Sequence, residues 1–399
     1  MKGLVRFCRL IVGLVFLFSG FVKLLAPVGT SLIIKEYLIA FHLDFMAPAA
    51  LVLGIVQALT EFFTAVALLL RLRIRIFAWV ALILLALFTP LTLYLALFNP
   101  IADCGCFGEV IHLTNWQTFF KNLILLPLAV IIFIGRKTVS QFRYPALEWT
   151  FLGLFALLAV CILLRISLYE PIQESTLYRV SAEITPTPQA STADSYDTTF
   201  IYEKDGFRET FTLDNLPDST WTFVESVTAV LDGAGKASDA DFRIESLSGQ
   251  DITADVLSRD KLLLQTIYYP DKYLRSHTLE QIAAMRDRAA EQGMGFMVVF
   301  SAPIEGLRED IEAATADTKL LMTFNRSNGG ATYLHKGMIV RKWASTAANR
   351  ESARYNPESD PEMEVLRTLN RQRISIELLI FIFLMLSLVK FAVFFKKRE

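Results

Sequence analysis

The sequence predicts a polytopic membrane protein of about six crossing helices, with a soluble α/β domain of roughly two hundred residues before the last of them. Three observations lead there. Hydrophobic residues make up 53% of the 399, above the roughly 45–50% of ordinary soluble domains, and the mean hydropathy is +0.43. The excess is uneven: long apolar runs fill residues 1–168, whereas 170–370 has the composition of a soluble chain. Lysine and arginine are also divided unequally between alternate connections of the apolar runs. The net charge of -1 gives no global basic character, so no nucleic-acid partner is expected.

A span requires about 20 mostly apolar residues. Residues 5–26, 46–70, 76–98, 117–135 and 147–168 satisfy this, and 374–395 supplies a sixth. The third is free of charge from Ile76 to Phe98. The sixth has a charge-free core only from Leu378 to Val389, so Glu377 and Lys390 are expected to reach toward the interfaces. The first follows Lys2, Arg6 and Arg9 and has the length of a signal peptide. Gly20-Phe21-Val22-Lys23 offers no small-x-small cleavage site, however, and apolar residues resume at Leu24, so the segment is read as a retained span.

Basic residues orient the bundle. With both termini in the cytoplasm, twelve lysines and arginines fall in short inner segments, against three (Lys23, Lys35 and Lys121) in short outer ones. Arg165, Arg371 and Arg373 flank the long loop, where charge has little influence on translocation. The expected location is the inner membrane, with residues 170–370 and the 99–116 loop on the periplasmic side, an oxidising space.

Cys104 and Cys106 stand just beyond the third span in Asp103-Cys-Gly-Cys-Phe-Gly108. Two thiols separated by one glycine can close a tight disulfide, exchange with a partner's disulfide, or bind a soft metal. A metal is the poorest of these, because a structural zinc site wants four ligands. The small ring of a C-x-C disulfide is expected to be strained, and strain makes a bond labile, which suits a relay. The bland alternative is a static disulfide that pins a loop. Asp103 and Glu109 flank the pair, and no lysine or arginine lies between Asn99 and Phe120, so the thiol pKa is not expected to be depressed. Cys8 and Cys161 lie in apolar helices and read as small packing residues.

Three motifs carry a family resemblance. Gly13-Leu-Val-Phe-Leu-Phe-Ser-Gly-Phe-Val-Lys-Leu24 resembles the first-helix signature of the DoxX/MauE group of membrane proteins. Glu61, followed by a basic turn, is similar to that group's acidic position, and Cys104-Gly-Cys-Phe-Gly108 resembles its C-x-C-F-G loop. The resemblance covers residues 1–137 and is nearest to DoxX-like proteins of Bacteroidetes with an appended periplasmic domain. It implies an all-α four-helix membrane bundle that handles thiols or electrons at its outer face. MauE is associated with methylamine utilisation and disulfide maturation, and DoxX relatives with quinone-linked sulfur oxidation. A membrane quinone is therefore the one cofactor the resemblance admits.

Glu61 stands inside an otherwise apolar helix, so a proton-carrying or quinone-contacting role is open. So is a structural one, with Gln57 as hydrogen-bond partner. At about 1.5 Å per residue, Lys23 belongs near the outer face and Glu61 near mid-depth, and a direct pair is not expected.

The remainder divides into a fifth span (147–168), a linker (183–199), an outer domain (200–370) and the last span (374–395). The outer domain opens with a hairpin from Phe200 to Leu213 that turns at Asp205-Gly206. Lys261–Tyr268 reads as a buried strand, and Thr278–Gln292 as a helix with a capping box from Thr278 to Gln281. Then come a strand at Phe296–Phe300, a short helix bearing Ile304, Leu307 and Ile311, a strand at Leu320–Thr323 and a hairpin at Ala331–Trp343. That order resembles a thioredoxin-like domain over about 240–345. Two departures matter. Tyr269 to Thr278 contains no cysteine, and Gly329-Gly330-Ala331 stands where such domains carry a cis-proline. No cysteine follows Cys161, so this domain cannot exchange thiols itself. His277 and His335 lack metal-ligand spacing, and Met294, Met297 and Met338 read as packing residues.

The expected function is a thiol–disulfide or electron-transfer component at the outer face of the membrane. Cys104 and Cys106 are the exchanging pair, and Glu61 is a proton or quinone contact. The competing reading is a scaffold that recruits a protein partner through the outer domain and merely carries a static C-x-C bond. Nucleotide loops, metalloprotease motifs and nucleophile elbows do not occur.

Overall fold

The computed structural model describes residues 2–101, 104–108, 110–139, 145–168, 176–184, 196–204, 207–212, 222–230 and 242–396. Asp103, Glu109, most of the expected linker and the Asp205-Gly206 turn lie outside these. Among the described residues, six helices are long and apolar enough to cross a membrane. They contain α1 (Lys2–Leu25), α3 (Ala50–Leu70), α4 (Ile74–Phe98), α5 (Asn115–Gly135), α6 (Pro145–Leu168) and α12 (Pro361–Lys396). The last is longer than expected and runs unbroken from the folded domain into its apolar stretch.

The helices α1 and α3 are antiparallel and pack backbone to backbone at Gly20. A Cβ there would stand 2.5 Å from the Phe62 amide nitrogen, which is the close approach that small residues allow between membrane helices. At the far end Arg9 is buried and donates from Nε to the Leu68 carbonyl at 2.9 Å. It satisfies one of the carbonyls that a helix C-terminus leaves open. On the outer flank of α3, Phe62, Phe155 and Phe383 interlock with centroids 5.3–6.5 Å apart, and this aromatic contact seats α6 and α12 against the bundle. Cys8 is buried as expected; Cys161, expected to be a packing residue, is exposed on α6.

One helix was not foreseen. After Ala26, Pro27 starts α2 (Pro27–Ala40), where proline suits the first helical position. This helix lies between the bundle and the folded domain. Val28 and Leu32 pack against the domain's core, and Thr30 and Ile34 meet Gly54 of α3.

The C-terminal region holds a mixed six-stranded sheet in the order β4-β7-β6-β5-β8-β9, with the two-residue β4 (Glu245–Ser246) at one edge. Its centre is β5 (Leu262–Ile267), buried along its length. It is parallel to β6 (Gly295–Phe300) and antiparallel to β8 (Gly330–His335). The helix α9 (Leu279–Glu291) crosses between β5 and β6, and its Thr278–Gln281 capping box is present. The terminal hairpin pairs β8 with β9 (Met338–Trp343), turning through Lys336 and Gly337, both at positive φ. Among the described residues of this region, Trp343, Tyr333, Phe300 and Phe324 are the largest fully buried side chains.

Two expectations fail between β6 and β8. Residues 301–311 form turns rather than a short helix, because Pro303 and Gly306 (φ 79°) interrupt the apolar spacing. The strand that follows is β7 (Glu312–Thr315), which lies between β6 and the short edge strand β4, and Leu320–Thr323 lies in a helix, α10 (Thr318–Phe324). Asp317 caps that helix, accepting from the Lys319 and Leu320 amides, as an N-cap carboxylate does. Separately, β1 (Tyr196–Lys204), β2 (Phe207–Thr212) and β3 (Thr222–Val230) form a three-stranded antiparallel sheet.

Candidate functional site

Bundle and loop enclose a cavity of about 580 Å³ whose walls come from α1 to α5 and the cysteine loop. Most of the wall is apolar, including Phe16, Leu53, Leu84 and Phe88. Val56 belongs both to the wall and to the exposed outer surface of the bundle. Polar groups gather where the cysteine loop meets α1, α2 and α3.

The first of these groups is an ion pair. Lys23 Nζ donates to both Glu61 carboxylate oxygens at 2.7 and 2.8 Å, and both side chains are buried. The depth argument that kept them apart is therefore wrong, and the reason is geometric. Side chains on a helix tilt toward its N-terminus. In antiparallel α1 and α3, Lys23 and Glu61 tilt toward each other, and the Gly20 contact brings the backbones close enough to join them. Gln57 Nε2 donates to Glu61 at 3.1 Å, as expected.

Ser19 ties this pair to the cysteine loop. Its Oγ accepts from Lys23 at 3.1 Å and lies 2.6 Å from both Glu61 Oε2 and the Cys106 carbonyl oxygen. One hydroxyl proton can serve only one of those acceptors at a time, so Ser19 can report on either the carboxylate or the loop.

The two sulfur atoms stand 3.2 Å apart as a hydrogen-bonded thiol pair. Gly105, at φ 66°, turns the chain between them, and its would-be Cβ falls 2.5 Å from Ile33 Cδ1. Glycine is thus required there both by conformation and by the approach of α2. Tyr37, also on α2, places its hydroxyl 3.0 Å from the Cys104 sulfur and 3.1 Å from the Cys104 carbonyl oxygen, and its one proton is donated to these two acceptors in turn.

The two thiols are not equivalent. The hydrogen bond from Cys104 lowers the Cys106 pKa, burial opposes it, and the positive charges of Lys121 and Lys23 add to the lowering. Sharing that proton and being buried push Cys104 up. Lys121 and Lys23, which the sequence expectation did not include, come close in space, whereas Asp103 and Glu109, on which that expectation rested, lie outside the described residues. Because Cys106 is lowered, its thiolate forms at lower pH than a free thiol, near 8.5. Alkylation of the reduced protein should therefore rise with pH at a midpoint below that value, and Lys121→Gln should move the midpoint upward. An unmoved midpoint would remove Lys121 from the electrostatics.

All three expected site residues, Cys104, Cys106 and Glu61, meet at this cavity. Sequence reasoning missed Ser19, Lys23, Tyr37 and Lys121. A signal existed for the first two: polar residues four apart in an apolar helix share a face. Among the described residues no cluster of metal-binding side chains occurs.

Residues 1–135 match the family described as Methylamine utilisation protein MauE, and this N-terminal third of the chain is a DoxX/MauE-like multi-pass membrane unit. Residues 196–232, a range that includes the three strands β1 to β3, match a Domain of unknown function (DUF8463). No curated protein and no solved structure matches the chain.

Proposed function

We propose that the protein is a membrane thiol–disulfide component. Cys104 and Cys106 exchange with a dithiol partner, and the Lys23–Ser19–Glu61 network manages protons beside them. The observation that carries this reading is the convergence of the cysteine pair and that network at one end of a largely apolar cavity. A pair that only pinned a loop would need neither the cavity nor buried charges beside it.

In the oxidised state, a partner thiolate attacks one sulfur of the Cys104–Cys106 bond and forms a mixed disulfide. The partner's second thiolate then attacks the partner's own sulfur in that bond. The partner leaves oxidised, and Cys104 and Cys106 keep two electrons and two protons. Cys106, the thiol with the lowered pKa, is the better leaving group, so the mixed disulfide is expected at Cys104. Lys23 and Lys121 stabilise the Cys106 thiolate as it leaves. Ser19 links the loop to Glu61, which accepts a proton when the pair is oxidised again.

A membrane quinone fits the cavity. The volume lies within the range of about 300–1,000 Å³ of small-molecule sites, the walls suit a lipophilic ring and tail, and Lys121 and Asn122 offer donors at the polar end. When bound, such a group takes up two electrons and two protons. Val56, on both the wall and the outer surface, marks where a lipid-soluble molecule would approach.

In this reading residues 1–137 are the redox unit, and the six-stranded sheet is a thioredoxin-like outer domain without cysteines. That domain lies on the periplasmic side of the inner membrane, where it positions a partner. A Ser248→Cys variant in a cysteine-free background should then react with an impermeant maleimide on cells whose outer membrane is permeabilised. In cells, Cys106→Ser should accumulate a mixed disulfide through Cys104, and titration against glutathione buffers should place the pair above the roughly -300 mV of structural bonds. A structural-range potential, no trapped partner and wild-type behaviour of the double Cys→Ser variant would together leave only the scaffold.

A further inference from the structure

We infer that the folded C-terminal domain regulates the cysteine pair through α2, which carries Tyr37 to Cys104 on one face and docks the domain on the other. The inference rests on the reading of Cys104 and Cys106 as a working pair.

The helix α2 has two occupied faces. Val28, Leu32 and Glu36 are spaced by four and form one stripe. Val28 and Leu32 pack against the core of the C-terminal domain, and Glu36 pairs with Lys319 of α10 at 2.9 Å. Thr30, Ile33, Ile34 and Tyr37 lie on the roughly opposite side and line the cavity. From this side Ile33 presses on Gly105 and Tyr37 donates to Cys104 Sγ.

The helix thus makes both ends of a short connection. A rigid helix passes a shift at Glu36 to Tyr37, its immediate neighbour in sequence. The Gly105 contact leaves no slack, because Ile33 already fills the space a side chain would take at that position. With the domain docked, Tyr37 is held against the Cys104 sulfur. With the domain displaced, as by a bound partner, α2 is free to withdraw and the hydrogen bond is lost. This gives a domain without cysteines a direct influence on cysteine chemistry.

A phenol hydrogen bond to sulfur favours the reduced pair, whose thiol and thiolate are better acceptors than a disulfide sulfur. Its loss should therefore favour oxidation. Tyr37 is a positioning residue here, and its test must read the sulfur rather than folding alone.

The experiment measures the equilibrium of Cys104 and Cys106 against glutathione in the full-length protein in lipid nanodiscs, together with the alkylation rate. Tyr37→Phe should shift the equilibrium toward the disulfide on the order of fivefold, the effect of one ordinary hydrogen bond. Lys319→Glu, which sets two carboxylates against each other, should shift it in the same direction. The charge swap Glu36→Lys with Lys319→Glu should restore the parent value, and in a Tyr37→Phe background Lys319→Glu should add nothing further. Glu36→Gln, which loses the pair without repulsion, serves if the reversal proves unstable and should give a smaller shift of the same sign.

Equilibria within twofold of the parent for both Lys319→Glu and Glu36→Gln would overturn the inference. So would additive effects of Lys319→Glu and Tyr37→Phe. These readouts need neither quinone nor partner, so the inference and the proposed exchange function can fail separately.

Discussion

Glu61→Ala should destabilise the membrane unit by about 3–5 kcal/mol, the usual consequence of leaving a buried charge without its partner. Lys23 would be left with its amine in a site where its own side chain is 2% exposed and that of Glu61 is 4% exposed. It would retain Ser19 alone among the acceptors it now contacts in this network. Lys23→Ala should cost a similar amount for the converse reason. The double variant Lys23→Met with Glu61→Leu removes both charges and keeps the volume, and such replacements are often neutral or stabilising. Unfolding in mixed micelles would measure all three. The double variant separates the two readings of Glu61. If it is stable but its pair no longer reoxidises, Glu61 serves proton handling. If it is stable and reoxidises normally, the ion pair only holds α1 to α3. A single Glu61→Ala variant within about 1 kcal/mol of the parent would show that the pair is not the buried clamp described here.

The spans were legible because crossing a membrane demands a long uninterrupted apolar run, a signal few other structures produce. The folded region was legible where one face was buried and the other wet, as in α9, whose Thr278–Gln281 capping box is present. The failures have particular causes. The helix α2 hid because both its faces are in use, so apolar residues lie all round its axis and no polar face sets one side apart. Ile304, Leu307 and Ile311 carry helical spacing, but Pro303 and Gly306 override it. The stretch Leu320–Thr323 resembles a strand in composition, yet Asp317 starts a helix just ahead of it. At the site, Cys104, Cys106 and Glu61 stood out because each is chemically out of place in its surroundings. Lys121 and Tyr37 did not, because their relevance depends on which loop folds against them. The acids beside the cysteines in sequence suggested one electrostatic environment; the Cys104 hydrogen bond first, and then the charges of Lys121 and Lys23 in space, act to lower Cys106.

Gly20→Ala should be the most damaging single-methyl change in the bundle. A Cβ at Gly20 would lie 2.5 Å from Phe62 N, 2.9 Å from Phe62 Cα and 3.0 Å from the Ala58 carbonyl oxygen. All three are backbone atoms of α3, so no side chain can rotate away and the two helices must separate. Overpacking of this kind costs about 1–3 kcal/mol. The separation would also lengthen the 2.7 Å contact of Lys23 with Glu61 and the 2.6 Å contact of Ser19 with the Cys106 carbonyl. Both stability and thiol behaviour should therefore change together. Gly13→Ala is the matched control one heptad away on α1. Its Cβ would meet side-chain atoms only, Leu69 Cδ2 and Cγ at 2.8 Å and Leu68 Cβ at 3.6 Å, so Leu69 can shift or change rotamer without separating the helices. Gly13→Ala should leave the Cys106 alkylation midpoint unchanged and lower stability by less than about 1 kcal/mol, since a helical glycine is itself unfavourable relative to alanine. Gly20→Ala should displace that midpoint and weaken the bundle. Equal behaviour of the two variants would mean that the close crossing at Gly20 does not hold the site together.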